Sequence, residues 1–142
     1  MENEAHCIKL GSNHVQLLEE FAKANSDDFT AKSISSFLND SNNEAFVVVV
    51  DHKIVSFAYG YTLNRPDGKK MFYLHSIDTL KEYRNQGYGT KSMQYVINKA
   101  KKNGCYKVFL ITNKANKSAC CIYEKNGGIA KNDDDVVYEY TF

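Results

Sequence analysis

Apolar residues along this chain recur with two periods, one typical of helices and one typical of strands. In segment 93–100 they return every three or four positions, as on one face of a helix. Residues 45–50 instead form a continuous, β-branched run, which is typical of a strand covered on both faces. Asn64–Gly68 holds the only proline beside an Asp-Gly pair, which predicts a tight turn between two strands.

Reading these periods along the whole chain gives an ordered set of elements. Ser12 is expected to cap the first helix. The predicted elements are a strand at 6–10, helices carrying apolar faces at 15–22 and 34–38, strands at 45–50, 54–61 and 71–80, a helix through 93–100, a strand at 107–112, a helix at 116–125, and strands at 129–131 and 136–142.

This order predicts an α/β (α+β) fold built as a single domain over residues 1–142. A hairpin of strands followed by helix, strand, helix and strand is typical of a mixed, mostly antiparallel sheet with helices on both faces. We expect six to seven strands in that sheet.

Composition excludes several classes of function. The 18 basic and 17 acidic residues leave a net charge of +1, which argues against nucleic-acid binding. No apolar run approaches the ~20 residues that span a bilayer, and the acidic start Met1–Glu4 is unlike a secretory signal. The four cysteines lack the spacing of a disulfide framework or a metal site. We expect a cytoplasmic protein with no metal and no membrane partner.

One glycine-containing stretch lies between a predicted strand and a predicted helix. Unpaired amides at a helix start, together with the helix dipole, suit a phosphate or diphosphate group. Gly87 and Gly89 would let such a ligand approach the backbone, and Arg84 could bind its oxygens with two parallel donors. The stretch reads Tyr83, Arg84, Asn85, Gln86, Gly87, Tyr88, Gly89, Thr90.

The stretch alone does not define the ligand. It lacks the order of a nucleotide-binding P-loop, and Ser92 stands where a dinucleotide fingerprint has Gly or Ala. A glycine turn that binds nothing remains an alternative on these residues.

A second motif about thirty residues later adds specificity. Arg84-x-x-Gly87-x-Gly89 resembles the diphosphate-binding signature of the GCN5-related N-acetyltransferases (GNAT family). Asn116-x-x-Ala119-x-x-x-Tyr123-x-x-x-Gly127 is similar to that family's second signature. The resemblance implies acetyl-CoA as cosubstrate and a sheet whose fourth and fifth strands splay apart in a V that admits the thioester.

The resemblance also implies roles for individual residues. The backbone of Ile77, Asp78 and Thr79 would pair with the pantetheine arm, and one amide there would polarise the thioester carbonyl. Tyr123 would protonate the leaving thiolate, unless it only packs under the sheet. Asn116 would bind the pantetheine arm, cap a helix, or do both. The residues implied in cofactor binding are Ile77, Asp78, Thr79, Arg84, Asn85, Gln86, Gly87, Tyr88, Gly89, Thr90, Asn116, Ala119 and Tyr123.

The general base is less defined by the sequence. Strict alternation would place His75 on one strand face with Tyr73, Ile77 and Thr79. Some arylalkylamine-type members of the family have a histidine at the matching position, and a histidine suits proton removal near neutral pH. Glu44, Glu139 or a water chain are alternatives, and His75 could instead be an ordinary hydrogen-bonded strand residue.

The acceptor is expected to be a primary amine of a small molecule, aminoglycoside-like or polyamine-like. The Leu10-Gly11 opening with Val15, the run 72–74 and the acidic tail look like aminoglycoside 3-N-acetyltransferases. Asp133–Asp135 could attract a polycation, although three turn aspartates are also simply well solvated. Polyamines, arylalkylamines and protein lysines remain open, as do a homodimer and a catalytically silent acetyl-CoA-binding module.

Overall fold

The computed structural model describes residues 4–132 and 134–142, and in these residues five strands and four α-helices follow one another. In chain order they are β1 (His6–Lys9), a 3₁₀ turn (Ser12–His14), α1 (Val15–Ala24), α2 (Ala31–Asn39), β2 (Asn43–Val50), β3 (Lys53–Asn64), β4 (Lys70–Thr79), a second 3₁₀ turn (Lys81–Tyr83), α3 (Tyr88–Lys102), β5 (Cys105–Phe109) and α4 (Lys117–Lys125).

The strands form one sheet in the order β1-β2-β3-β4-β5. The first three pairings are antiparallel and the last, between β4 and β5, is parallel. The predicted hairpin of β3 and β4 is confirmed, and so is the mixed, mostly antiparallel character of the sheet.

Helices cover both faces of the sheet, as the sequence predicts. Val47 and Phe57 belong to a core that includes Leu18 and Phe21 of α1. Phe46 lies on the opposite face, in a second core with α3. Burial on both sides explains why β2 reads as one apolar run instead of an alternating strand.

Two predicted boundaries move in the structure. Ser12 lies inside a 3₁₀ turn, and α1 begins only at Val15, after His14 has accepted a hydrogen bond from the Gly11 amide at 2.9 Å. β5 ends at Phe109, short of the predicted residue 112. Its register stops at the pair Tyr73↔Phe109, beyond which β4 no longer runs beside it.

The two predicted C-terminal strands are not formed, so the sheet of the described residues has five strands where six to seven were expected. Residues 129–132 and 134–142 are irregular and exposed, and they make no hydrogen bond to the rest of the described chain. Asp133, one of the three tail aspartates, lies outside the described residues.

Candidate active site

A β-bulge in β4 shapes the candidate site. Tyr59 of β3 pairs with Ser76, but the next residue, Gly60, pairs with Leu74, so His75 is the extra residue with no partner across the ladder. Such bulges bend and twist the strand that contains them. From Leu74 to Thr79, β4 pairs with β3 alone, and its other edge faces no strand among the described residues.

The bulge corrects the predicted alternation of β4. The side chains of Tyr73 and His75 lie on the α1–α2 face, with ring centroids 5.7 Å apart. Ile77 packs into the core on the α3–α4 face, and the Thr79 hydroxyl lies 3.0 Å from the Ser56 hydroxyl. The expectation that all four residues share one face is therefore wrong, because one inserted residue reverses the phase of a period-two strand.

Helix α3 begins with backbone amides that have no intrahelical partner. Its N-cap is Gly87, whose φ of 86° is left-handed and whose lack of a side chain leaves the cap without a hydrogen-bond acceptor. The first amide of the helix to bond a carbonyl is that of Lys91, to Gly87 at 3.0 Å. The amides of Tyr88, Gly89 and Thr90 thus have no acceptor within the described chain.

The loop before α3 brings positive charge to this helix start. Arg84 donates from Nε to the Thr79 carbonyl at 3.0 Å, and its guanidinium lies 3.5 Å from an Asp78 carboxylate oxygen. Asn85 is left-handed at φ 61°, and the Gln86 side chain donates to the Glu82 carbonyl at 3.0 Å. Arg84 is exposed, so its remaining donors stay accessible.

The Asp78 carboxylate links β4 to α1. It accepts from the Asn25 side chain at 2.8 Å and from the Thr79 amide at 2.9 Å. Both main-chain groups of Thr79 are thus engaged, the amide by Asp78 and the carbonyl by Arg84. Of the three residues expected to pair with a pantetheine arm, only Ile77 and Asp78 have main-chain amides without such a side-chain partner.

Gly89 allows α3 and α4 to pack closely. A Cβ placed on Gly89 would lie 3.0 Å from the Ile122 Cδ1 atom. Asn116 is the N-cap of α4, and its Oδ1 accepts from the Ala119 amide at 3.2 Å. Its main-chain amide and carbonyl are also engaged, with Asn113 at 2.9 Å and Cys120 at 3.1 Å, so any contact with a ligand is left to its side-chain amide nitrogen.

Tyr123 lies on α4, half-buried against the core formed with α3. Burial raises the pKa of its phenol above the ordinary value, and the nearby Cys120 adds to the rise. Its hydroxyl has no hydrogen-bond partner among the described residues. At neutral pH the side chain is therefore a neutral donor with a free proton.

A cavity of about 240 Å³ lies on the other face of the sheet, between α1, α2 and β3. Its walls are mostly aromatic and aliphatic: Leu18, Phe29, Ile34, Phe37, Phe57, Tyr59 and Tyr61, with Ser33 as the polar exception. Phe37 meets Tyr59 and Tyr61 edge to face, at centroid distances of 5.5 and 6.2 Å.

His75 extends this aromatic surface towards the bulge. Its ring stacks on Tyr59 at 5.3 Å and 16°, and meets Tyr61 edge-on at 5.8 Å. Burial raises the pKa of the Tyr59 phenol, with smaller contributions from Tyr61, Asp27 and Tyr73. His75 therefore borders the cavity, on the face of the sheet opposite Tyr123.

The alternative bases lie elsewhere. Glu44 is buried and bound to Lys9 at 3.1 Å, and it shares the face of Phe46, opposite His75. Glu139 lies on the exposed C-terminal segment. Neither carboxylate lines the aromatic cavity.

Periodicity and spacing alone did not identify the residues that line the cavity. Phe57, Tyr59 and Tyr61 alternate along β3, which marks one face as aromatic. Phe29 and Phe37 come from the α1–α2 region, and nothing in their spacing indicates that they meet that face. Nothing in the sequence indicates that Asn25 binds Asp78.

None of the helices in residues 4–132 and 134–142 is long and apolar enough to cross a membrane. Within the same residues, no cluster of three or more His, Cys, Asp or Glu side chains could hold a metal ion.

Comparison with known proteins identifies the family and the fold. Residues 10–128 match the model of the acetyltransferase (GNAT) family. No curated protein sequence matches the chain significantly.

Solved structures with the same fold include an aminoglycoside acetyltransferase, meta-AAC0020, from an uncultured soil metagenomic sample, in complex with trehalose (TM-score 0.82, 21% identity, 97% of this chain and 96% of that one). A ribosomal-protein-alanine N-acetyltransferase from Brucella melitensis biovar Abortus 2308 has a TM-score of 0.79 and 18% identity, over 98% of this chain and 100% of that one. The aminoglycoside N-acetyltransferase AAC(6')-Iy, in complex with CoA, has a TM-score of 0.78 and 14% identity, over 99% of this chain and 97% of that one.

Proposed function

The chain belongs to the acetyltransferase (GNAT) family, and we propose that it transfers the acetyl group of acetyl-CoA directly to the primary amine of a small molecule in a ternary complex. The observation that carries the proposal is the set of unpaired amides at the start of α3, beside Arg84 and the unpaired edge of β4. These groups lie where a diphosphate and an extended acyl-carrying arm can bind side by side.

The diphosphate would be bound by the amides of Tyr88, Gly89 and Thr90 and by the Arg84 guanidinium. Gly87 suits this role because a Cβ there meets nothing within 4 Å, so the approach to the helix start is open. Asn85 and Gln86 complete the loop, and the Gln86 bond to Glu82 stabilises its shape. Arg84 is already oriented by the Thr79 carbonyl, which lowers the entropy lost when it binds an anion.

The arm of the coenzyme would lie along β4 and bring an acetyl thioester to the bulge. Ile77 and Asp78 would supply the main-chain pairing, and an amide beside the bulge would stabilise negative charge on the carbonyl oxygen. Asn116 and Ala119, at the start of α4, would border the arm from the other side. Tyr123 would give its proton to the leaving sulfur, a step that its neutral, unpartnered hydroxyl favours.

The acceptor would bind in the aromatic cavity on the opposite face of the sheet. Aromatic rings attract an ammonium group through their faces and also bury an apolar body. His75, at the edge of the cavity, would remove the proton from the amine before attack. The lining favours an amine with an apolar or aromatic body over a polyamine or an aminoglycoside, because no carboxylate lines the cavity.

A turnover screen tests this proposal. Thiol release from acetyl-CoA is measured with 2-phenylethylamine, spermidine, a 2-deoxystreptamine aminoglycoside and a lysine-containing peptide, while calorimetry measures acetyl-CoA binding separately. We expect binding in every case and the highest kcat/KM with 2-phenylethylamine. Best turnover of the peptide would favour a protein acetyltransferase, and binding without any turnover would favour a silent coenzyme-binding module.

Two variants separate the proposed roles. Phe37→Ala should raise KM for 2-phenylethylamine and leave acetyl-CoA affinity unchanged, because Phe37 contacts the cavity rings Tyr59 and Tyr61. His75→Ala should remove the acidic limb of the pH–rate profile. An unaltered profile would exclude His75 as the base.

A further inference from the structure

The segment that joins α1 to α2, residues 25–30, supplies one wall of the aromatic cavity. Phe29 lines the cavity and meets Phe57 of β3 edge to face, with ring centroids 6.3 Å apart. Phe29 belongs to neither a helix nor a strand. Its position therefore depends on the contacts that hold the segment against the sheet.

The segment leaves α1 through a tight turn. The Ser26 amide donates to the Lys23 carbonyl at 3.3 Å. The Asp27 amide donates to the Ala22 carbonyl at 2.8 Å. This pair of bonds after a helix requires a left-handed residue, usually glycine, and here Ser26 adopts a φ of 59°. The turn directs the chain towards β4, where the next contacts form.

The Asn25 side chain joins the segment to β4. Its Nδ2 atom donates to Asp27 Oδ2 at 2.9 Å and to Asp78 Oδ2 at 2.8 Å. A side-chain amide has two N–H donors, so each of them binds one carboxylate. Asp78 pairs with Phe57 across the ladder, which places its side chain on the cavity face of the sheet. The bond to Asp78 thus forms on the same face that Phe29 covers.

The two carboxylates need a donor between them. Asp27 and Asp78 are half-buried and lie within hydrogen-bond distance of one nitrogen, so their charges repel one another. Asp78 has other partners, the Thr79 amide at 2.9 Å and the Arg84 guanidinium at 3.5 Å. In the part of the chain that the structure describes, the Asp27 carboxylate has no hydrogen-bond donor besides Asn25. Loss of this amide would therefore push the segment away from β4.

The end of α1 does not by itself explain Asn25. Its backbone lies at φ −93° and ψ 0°, a conformation that alanine also adopts, and its capping bonds come from the main-chain amide. The side chain is therefore free to form the bridge, and an alanine here removes the bridge without straining the turn.

We propose that Asn25 is a positioning residue for the acceptor, because its bridge between the two carboxylates holds segment 25–30 against β4 and keeps Phe29 in the cavity wall. The inference rests on the proposed function, since it takes the aromatic cavity as the acceptor site. Without the bridge, the segment occupies its binding-competent position for a smaller fraction of the time. The apparent affinity for the acceptor then falls by that fraction.

The coenzyme site should not respond to the loss of the bridge. Arg84 keeps its own bond to the Thr79 carbonyl, at 3.0 Å, whether or not Asn25 binds Asp78. The amides at the start of α3 do not contact the 25–30 segment. A change in acceptor binding alone is thus the signature of the positioning role.

Steady-state kinetics with 2-phenylethylamine measures this signature. Asn25→Ala should raise KM about tenfold, roughly the effect of losing one hydrogen bond to a charged group, and leave kcat and acetyl-CoA affinity unchanged. Asn25→Asp has the same shape and should raise KM at least as much, because it puts a third carboxylate between the other two. Asn39→Ala is the matched control: it removes the same amide from the end of α2, where Asn39 reaches only Ser35 at 3.4 Å, and KM should not change.

A double variant tests whether Asn25 acts through Phe29. Phe29→Ala should raise KM by itself, and adding Asn25→Ala should raise it no further, because the ring to be positioned is gone. NMR should show NOEs between the Phe29 and Phe57 rings in the parent protein and in Asn39→Ala. The same NOEs should be lost in Asn25→Ala.

Three results would overturn the proposal: an unchanged KM in Asn25→Ala, additive effects of Asn25→Ala and Phe29→Ala, or an equal rise of KM in Asn39→Ala. Failure of the proposed function is distinguishable, because the parent protein would then turn over no amine. The NOEs between Phe29 and Phe57 decide the role of Asn25 even in that case, and their persistence in Asn25→Ala would refute it.

Discussion

Substituting Gly60 is the sharpest probe of the bulge on which the candidate site depends. Gly60 lies on β3 directly across from the interruption at His75, where the register jumps from Ser76 to Leu74. A Cβ at this position would lie 2.0 Å from the Tyr73 carbonyl oxygen and 2.8 Å from the Phe72 Cζ atom. The Tyr73 oxygen belongs to the backbone and the Phe72 ring is fully buried, so rotating one flexible side chain cannot relieve either contact.

The size of the effect follows from these distances. Carbon and oxygen atoms in ordinary contact are about 3.3 Å or more apart, so Gly60→Ala must move β4 by roughly 1 Å. Overpacking of a core by this amount costs about 1–3 kcal/mol, and displaced backbone places the variant at the upper end. At about 3 kcal/mol, the midpoint of thermal unfolding should fall by roughly 10 °C for a domain of this size.

Urea unfolding followed by circular dichroism gives the free energy directly. Gly11→Ala is the matched control, because its Cβ would meet only the Asn13 Oδ1 atom, the tip of an exposed side chain, at 3.3 Å. That variant should remain within about 0.5 kcal/mol of the parent protein. Equal stability of Gly60→Ala and the parent would refute the close approach of β3 and β4 at the bulge.

Two further predictions concern the proposed catalytic acid and the wall of the aromatic cavity. Burial raises the pKa of Tyr123 in the folded protein, so the phenol stays protonated and the basic limb of the kcat–pH profile should lie above pH ~10. Tyr123→Phe should remove that limb and lower kcat about 100-fold or more while the affinity for acetyl-CoA stays constant. An unchanged kcat would exclude Tyr123 as the acid. Thr30 caps α2, and its hydroxyl accepts a hydrogen bond from the Ser33 amide at 3.0 Å. Thr30→Ala should therefore lower the free energy of unfolding in urea by about 1 kcal/mol. Ser36→Ala, on the exposed side of the same helix, should leave it unchanged.

Local periodicity was sufficient for most of the fold. The strands β2, β3 and β4 and the helices α3 and α4 lie close to where alternation, turn residues and helical spacing place them, because these signals depend on neighbours in sequence. The end of α3 is equally local, because Asn103 caps the helix and Gly104 follows it with a left-handed φ of 83°.

The features that sequence could not provide depend on residues distant in the chain. No glycine or proline within β4 itself marks the bulge at His75; it arises from how β4 pairs with β3, so the faces of Ile77 and Thr79 were misassigned. The aromatic cavity requires Phe37 of α2 to meet Tyr59 of β3, a contact that only packing determines. The alternation of residues 136–142 predicted a strand, but these residues are irregular in the structure, so that prediction is wrong.

The binding of a diphosphate at the start of α3 is tested most directly by NMR of ¹⁵N-labelled protein. The amide signals of Tyr88, Gly89 and Thr90 are followed during titration with CoA and, separately, with acetyl-pantetheine, which lacks the diphosphate. Because these amides have no acceptor in the described chain, they should shift strongly with CoA and little with acetyl-pantetheine. Amides that stay unchanged at saturating CoA, while signals elsewhere move, would contradict the account.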